Sequence, residues 1–212
     1  MQQIMLQGFL CYLKQRKDCA YCPRRYIARY LQLGALHVYS LNMIKKLSPK
    51  AVKKANKEFK QTRSIIIVAE NISYARNVAS LFRIADALHA KKLILTGESH
   101  HPPFGKDLAK VSRSKEKSVL WEYSKDTESS ITALKKEGYQ IIAIEQCEES
   151  VLYTEQTYAE KVAFLIGSEM FGLAKKSAAL ADTAVVIPMY GKGGSINVHV
   201  ALAIVAFHAS LT

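Results

Sequence analysis

The residues best suited to chemistry begin with Asn77 and Arg83, which lie six positions apart on an otherwise apolar segment. A guanidinium group can bind phosphate or position a substrate oxygen electrostatically. A lone arginine on such a segment can also extend into solvent or pair with Asp86. This segment alone therefore leaves a chemical role and a structural role open.

Glu169 is a second candidate, because it lies in a glycine-flanked turn directly after the apolar run KVAFLI. The structural alternative is an acid that stabilises the N-terminus of a short helix. The third stretch is IPMYGKGGSINVHVALA, residues 187–203, where a glycine-rich bend separates two apolar runs. The second of these runs begins with two polar residues, Ser195 and Asn197.

The elements that must position these residues alternate along the chain, with short apolar runs separated by amphipathic segments. This alternation predicts an α/β domain with a mainly parallel sheet and helices on both faces. We predict five strands, at residues 64–69, 91–97, 139–146, 161–167 and 184–188. Helices are predicted at residues 77–88, 129–138 and 173–181 and from 195 onward, with Asp126 as the N-cap of the second.

In parallel α/β sheets, ligands bind where strands end and loops enter helices, and the three polar stretches all lie at predicted strand ends. The sequence has no G-x-G-x-x-G after a strand, no Walker loop, no G-x-S-x-G elbow and no H-E-x-x-H. Dinucleotide, nucleoside triphosphate, acyl-transfer and zinc-protease functions therefore lose their main support. His100 and His101 are adjacent and poorly placed to share one metal ion, so we predict no metal site.

The net charge of +12 is concentrated near the N-terminus. Residues 1–60 hold 13 of the 30 Lys and Arg but only two of the 18 acids, whereas the remaining residues are nearly balanced. Such asymmetry favours a nucleic acid partner over a solvated tail or a membrane-surface arm. We therefore predict a basic extension at residues 1–62 and a folded domain at residues 63–212. Residues 1–42 are either upstream of a biological start at Met43 or a short helical RNA-binding arm.

The four cysteines are too few and too scattered for a disulfide scaffold, and Cys19 and Cys22 have the spacing of only half a zinc site. The apolar first residues lack a basic n-region and a cleavage site, and no apolar run has the length of a membrane span. We expect a cytoplasmic protein with free thiols and without membrane association.

Taken together, the three stretches resemble the SpoU/TrmH family of RNA ribose methyltransferases, within the SPOUT superfamily. The resemblance rests on the spacing of Asn71, Asn77 and Arg83, then on LIGSEMFGL at residues 165–173, then on IPMYGKGGSINVHVALA. The intervening segment TGESHHPPFGKDLAKVSRSKEKSVLWEY also looks like the linking segment of small family members. One departure is His199, where many members have a small residue, usually serine.

The resemblance implies a deep trefoil knot at the carboxyl end of the sheet, whose loops hold S-adenosylmethionine in a bent conformation. Gly191, Gly193 and Gly194 would allow the backbone to pass close to this ligand. Ser195 is expected to cap the last helix, with Asn197 one turn inside it. The implied cofactor-binding residues are Leu95, Thr96, Gly97, Leu165, Ile166, Gly167, Glu169, Ile187, Pro188, Met189, Ser195 and Ile196.

The implied reaction is attack of a ribose 2′-hydroxyl on the methyl group of the cofactor. Arg83 would act as the base when an RNA phosphate orients it, but an arginine pKa exceeds about 12, so electrostatic positioning is a competing role. Asn77 would hold the ribose or Arg83, and Asn197 would fix the loop or the cofactor. Glu169 and Ser195 would organise Arg83 and the amino-acid end of the cofactor.

The implied partners are tRNA or rRNA and a second copy of the chain, which would pack against the apolar final helix. Sequence-independent phosphate contacts are expected from Lys45, Lys46, Lys53, Lys54 and Lys57. A catalytically inactive RNA-binding or ribosome-assembly protein on the same fold is the alternative function. The joint presence of the polar residues in all three stretches argues against it, because binding alone does not require that set.

Overall fold

The computed structural model describes residues 46–212, so Lys45, Cys19, Cys22 and the question of residues 1–42 lie outside the described residues. Residues 57–212 form one compact unit, and the described residues before position 57 belong to a separate one. The described residues before position 57 include helix α1 (Pro49–Asn56), on which Lys50 and Lys54 are exposed.

The compact unit consists of strands connected by helices and loops. Its helices are α2 (Ala75–Leu88), α3 (Lys106–Ser112), α4 (Thr127–Lys136), α5 (Lys175–Ala178) and α6 (Val198–Leu211). Its strands are β1 (Ser64–Glu70), β2 (Lys92–Thr96), β3 (Trp121–Ser124), β4 (Gln140–Ile144), β5 (Val151–Leu152), β6 (Lys161–Ile166) and β7 (Thr183–Val186).

The strands form one sheet in the order β3-β2-β1-β6-β4-β7-β5, and every recorded strand pair is parallel. This confirms the predicted α/β architecture with a parallel sheet. Because the strands are parallel, their carboxyl ends lie along one edge. Among the described residues, no helix has the length and hydrophobicity needed to span a membrane.

The sheet is covered on both faces, and the alternation of side chains along β1 shows how. Ile65 and Ile67 belong to a buried cluster that includes side chains of α2 and α6. Ile66 and Val68 belong to a second cluster that includes side chains of α4. All four side chains are at most 2% exposed, and burying each contributes about 1.5–3 kcal/mol relative to solvent exposure.

Two predicted helix starts have different outcomes. Asp126 is the N-cap of α4, and its carboxylate accepts a hydrogen bond from Ser129 N at 3.0 Å, which confirms the prediction. The prediction that Ser195 caps the last helix is wrong, because α6 begins at Val198 and its N-cap is Asn197. The Asn197 side chain accepts a hydrogen bond from His199 N at 3.1 Å, so Asn197 ends the loop rather than lying one turn inside the helix.

Other differences concern short elements with weak patterns. The residue pattern does not predict β3, β5 or α3, and it predicts a helix at residues 173–181 where α5 has four residues. A two-residue strand and a one-turn helix are too short to show a hydrophobic period. Their positions depend instead on neighbouring strands that the sequence pattern does not identify.

The turn after β6 depends on the absence of a side chain at Gly167. A Cβ atom there would lie 2.3 Å from the carbonyl carbon of Gly172. The backbone of Ser168 and Gly172 pairs across this turn through hydrogen bonds of 2.9 and 3.0 Å. The end of β6 and the returning chain are therefore in direct backbone contact.

We predict that Gly167→Ala lowers the free energy of unfolding by about 1–3 kcal/mol, because the new methyl group must push this turn apart. Urea unfolding followed by circular dichroism measures the change. Gly193→Ala is the matched control, since a Cβ atom at Gly193 meets nothing within 4 Å. A shift for the control beyond about 0.5 kcal/mol, or none for Gly167→Ala, would contradict this account.

Candidate active site

A cavity of about 890 Å³ lies at the carboxyl edge of the sheet, between the segments that follow β4, β6 and β7. This volume is in the range of small-molecule sites. The walls combine apolar side chains from the strand ends with polar residues from α2 and from the start of α6. The lining includes Tyr74, Asn77, Ile144, Glu145, Gln146, Ile166, Gly167, Glu169, Met170, Phe171, Ile187, Met189, Ser195, Ile196 and Asn197.

Glu169 joins the turn after β6 to the first turn of α2. Its Oε2 accepts a hydrogen bond from Ser73 N at 3.1 Å, and its Oε1 accepts from Tyr74 N at 3.3 Å. Tyr74 is the N-cap residue of α2, and its own side chain makes no capping bond. The carboxylate of Glu169 therefore supplies the missing cap and places a negative charge where the helix dipole favours one.

Asn77 connects all three polar stretches. Its side chain is almost buried, and its Nδ2 donates to Glu169 Oε1 at 2.6 Å. Because a carboxylate only accepts hydrogen bonds, this contact fixes the orientation of the amide. Asn77 Oδ1 then accepts from Asn197 Nδ2 at 3.1 Å and lies 3.2 Å from His199 Nδ1. Nδ1 of His199 must therefore carry a proton, which leaves Nε2 with the lone pair in the neutral ring.

Two residues that the sequence analysis missed close the cavity on the β4 side. Glu145 Oε2 accepts from Leu173 N at 3.0 Å, and Gln146 Nε2 donates to Gly194 O at 2.8 Å. These bonds join the loops after β4, β6 and β7. The signal that could have identified them was available, because these two polar residues come at the end of the apolar run of β4, at the same edge of the sheet as Glu169.

Several residues predicted to bind a cofactor do not line the cavity. Leu95 and Thr96 end β2 and Gly97 follows it, and in the strand order β1 separates β2 from β6, β4 and β7. Thr96 is buried, and its hydroxyl accepts from Thr127 Oγ1 at 2.8 Å. Leu165 is also outside the lining, since it packs in the core on the α4 face, and so is Pro188. The predicted residues that do line it are Ile166, Gly167, Glu169, Ile187, Met189, Ser195 and Ile196.

Arg83 lies apart from the network around Asn77. Its side chain is exposed and makes no hydrogen bond or ion pair with residues 46–212. The alternative partner, Asp86, instead pairs with Lys115 at 2.8 Å. Two residues six positions apart on an α-helix point about 120° away from each other around the helix axis. Arg83 and Asn77 therefore face different directions. The hydrogen bonds of Glu169 go to Ser73, Tyr74 and Asn77 rather than to Arg83.

The glycine-rich bend is open. Cβ atoms at Gly191, Gly193 and Gly194 would meet nothing within 4 Å, and none of the three has a positive φ. The chain's own packing therefore does not explain why this bend is glycine-rich. Within the described part of the chain, no group of acidic, histidine and cysteine residues is arranged to hold a metal ion.

Comparison with known proteins gives one consistent result. Residues 64–207 match the family model described as the SpoU rRNA Methylase family. A tRNA (guanosine(18)-2'-O)-methyltransferase of Aquifex aeolicus (strain VF5) is 29% identical over 154 residues, which are 71% of this chain and 70% of that enzyme.

Two solved structures share the fold. The crystal structure of the A. aeolicus TrmH/SpoU tRNA modifying enzyme aligns with a TM-score of 0.64 and 27% identity, over 71% of this chain and 77% of that one. The SpoU methyltransferase AviRb from Streptomyces viridochromogenes, in complex with AdoMet, aligns with a TM-score of 0.63 over 72% of this chain and 58% of its own. Its identity of 19% supports similarity of fold alone.

We predict that Asn77→Asp destabilises the protein more than Asn77→Ala at pH 7. Alanine removes the hydrogen bonds, at a cost of about 1–3 kcal/mol, whereas aspartate adds a carboxylate next to Glu169. Lowering the pH towards 5 should restore part of the stability of Asn77→Asp, because one shared proton removes the repulsion. Chemical denaturation over this pH range measures both effects. Equal stabilities at pH 7 would contradict the bond to Glu169.

We also predict a pH dependence from His199, because burial lowers its pKa below the ordinary value of 6.5. The folded state favours the neutral ring, so this contribution to stability is complete above pH 6.5 and is lost as the pH falls below it. The wild type should therefore lose stability relative to His199→Gln between pH 7 and pH 5. His208, whose pKa burial also lowers, is present in both proteins and cancels in the difference. A difference that is constant with pH would contradict the prediction.

Proposed function

This chain belongs to the SpoU rRNA methylase family, and from that premise we propose how its cavity residues carry out the reaction. The chain is an S-adenosylmethionine-dependent RNA ribose 2′-O-methyltransferase, an activity that its family and its relatives support. The observation that carries the residue assignment is the network in which Asn77 joins Glu169, Asn197 and His199. A catalytically inactive RNA-binding role is not favoured.

The cavity suits S-adenosylmethionine in its chemistry as well as its size. Ile144, Ile166 and Ile187 supply an apolar wall for a purine ring. The Ser195 hydroxyl and the N-terminus of α6 offer donors to a carboxylate. The free space around the glycine-rich bend lets the backbone approach a ligand closely. When bound, the cofactor supplies a methyl group that is activated by positively charged sulfur.

We assign cofactor binding to three loops of the cavity. Two of them are the predicted ones, after β6 and after β7, and they include Gly167, Glu169, Met189 and Ser195. The third is the loop at residues 144–146, in place of residues 95–97. Hydrogen bonds from Gln146 to Gly194 and from Leu173 to Glu145 support this assignment, because they hold the three loops together.

Within this site, Asn77 and Asn197 hold the loops and the ribose in fixed relative positions, and Glu169 holds the first turn of α2 against them. Precise alignment alone can lower a barrier between two reactants by roughly 7–11 kcal/mol. Arg83 binds an RNA phosphate and orients the 2′-hydroxyl electrostatically. We favour positioning over proton abstraction because arginine side chains stay protonated in proteins and a fixed cation suits an RNA phosphate.

Two features of the family complete the proposal. The joined loops at the carboxyl edge form the trefoil knot that the resemblance implies. A second copy of the chain packs on α6, whose exposed apolar residues Val200, Phe207 and Leu211 are seven and four positions apart and so share one helix face. We refer to these three residues as the apolar stripe. The apolar stripe supports a homodimer, because this chain leaves that face of α6 uncovered.

The basic N-terminal extension, residues 1–62, would hold RNA through phosphate contacts. The exposed side chains of Lys46, Lys54 and Lys57 support this role. We take tRNA as the first substrate to test, since the curated relative from A. aeolicus acts on tRNA. A cytoplasmic location follows from this substrate.

We predict that Arg83→Ala lowers methyl transfer to unmodified tRNA by about 10²- to 10³-fold, with S-adenosylmethionine binding unchanged. Transfer from radiolabelled cofactor and isothermal calorimetry measure the two quantities. Lys136→Ala is the control, because Lys136 is exposed on α4 on the opposite face of the sheet.

Arg83→Lys separates the two roles of the arginine. A positioning role predicts partial activity that varies little with pH, because lysine keeps the charge. A base role predicts activity that rises about tenfold per pH unit as the lysine loses its proton. Activity of Arg83→Ala equal to that of wild type would remove Arg83 from the mechanism.

A further inference from the structure

Three large aromatic side chains in the lining of the cavity, or next to it in sequence, are left in solvent. Tyr74 is 61% exposed, Phe171 is 84% exposed and Tyr190 is 94% exposed. We refer to these three residues as the aromatic rim. Tyr74 and Phe171 line the cavity, and Tyr190 follows Met189, which also lines it. Burial in the protein core therefore does not account for any of the three.

From this arrangement, and resting on the proposed function, we infer that the aromatic rim stacks the base of the target nucleotide, so that the substrate is an unpaired nucleotide in an RNA loop. A ribose whose 2′-hydroxyl enters the cavity keeps its base attached, and that base must lie at the mouth. Sequence-specific proteins bind unpaired RNA bases by stacking them on aromatic side chains. A base inside a duplex is not available for this contact.

The charges around the rim fit this occupant. Lys175 and Lys176 follow Phe171 at the start of α5, and Lys192 lies two positions after Tyr190; all three are exposed. The acids that line the cavity, Glu145 and Glu169, already accept hydrogen bonds, Glu145 from Leu173 N and Glu169 from Asn77. An aromatic surface flanked by lysines therefore matches a base flanked by phosphates.

The rim differs from the apolar stripe that we assign to a second subunit. The stripe lies on the regular face of α6, as expected for helix packing. Phe171 instead lies in a turn beside Gly172, Tyr190 lies in a loop beside Gly191, and Tyr74 lies at the N-cap of α2. The three side chains therefore do not form the continuous helix face expected for helix packing.

Tryptophan fluorescence tests the stacking directly. The chain has one tryptophan, Trp121, so Phe171→Trp adds a reporter over a known background. We expect a short single-stranded oligoribonucleotide of mixed sequence to quench this reporter saturably, and the same strand in a duplex not to do so. Leu120→Trp is the matched control, because Leu120 is 61% exposed and precedes β3 at the opposite edge of the sheet. Equal quenching of both reporters, or of neither, would overturn the proposal.

Kinetics supply the second test. Phe171→Ala should raise the KM for unmodified tRNA by about 5- to 150-fold and leave the cofactor dissociation constant unchanged, and Phe171→Tyr should restore most of the loss. An unchanged KM with weaker cofactor binding would overturn the proposal, because Phe171 would then cover the cofactor. A change in molecular mass of Phe171→Ala by light scattering would also overturn it, because a second copy would then cover the rim.

These outcomes separate the stacking proposal from the proposed function. If wild type transfers no methyl group to tRNA but Phe171→Trp is quenched by single strands, the stacking surface stands and the tRNA substrate is wrong. If wild type methylates tRNA and Phe171→Ala does so with an unchanged KM, the function stands and the stacking surface is refuted.

Discussion

The contact between Glu169 and Asn77 is the interaction on which the rest of the site depends. The Glu169 carboxylate caps α2 and fixes the orientation of the Asn77 amide. The amide oxygen of Asn77 is therefore the atom that accepts a hydrogen bond from Asn197, the N-cap of α6. The site is thus assembled from segments 92 to 120 positions apart in sequence through a single buried side chain. Hydrogen bonds to a charged group are stronger than neutral ones, so this arrangement favours one geometry over its alternatives.

Much of this organisation could be predicted from residue patterns, but the limits are physical. Asp126 was identifiable because capping is a local interaction over three residues. The three polar stretches were identifiable because strand ends share an edge. Residues 95–97 were expected beside the other two loops but do not line the cavity, because strand order is decided by packing, and β1 separates β2 from the strands of the cavity. Asn197 took the capping role expected of Ser195 because its side chain also bonds to Asn77.

His199 shows how a departure from the family pattern acts in this chain. Asn77 Oδ1 accepts from Asn197 Nδ2, and His199 Nδ1 provides a second donor that an apolar small residue such as alanine would not. The extra donor compensates for the cost of burying an amide oxygen, which is of the order of a hydrogen bond. Burial in turn keeps the imidazole neutral near physiological pH, so the network carries no additional positive charge beside the cavity.

The strand order also has a consequence for the time course of folding. β6 lies between β1 and β4, so the centre of the sheet pairs residues about 97 positions apart, such as Ser64 with Lys161. Contacts of such large sequence separation form slowly, because long loops must close before they are stabilised. On the ribosome, β1 and β2 leave the exit tunnel well before β6 does. The edge of β1 that pairs with β6 therefore stays unpaired until β6 emerges. A nascent chain of this enzyme therefore passes through a stage in which half of its sheet exists without its site, and this is the stage most exposed to aggregation.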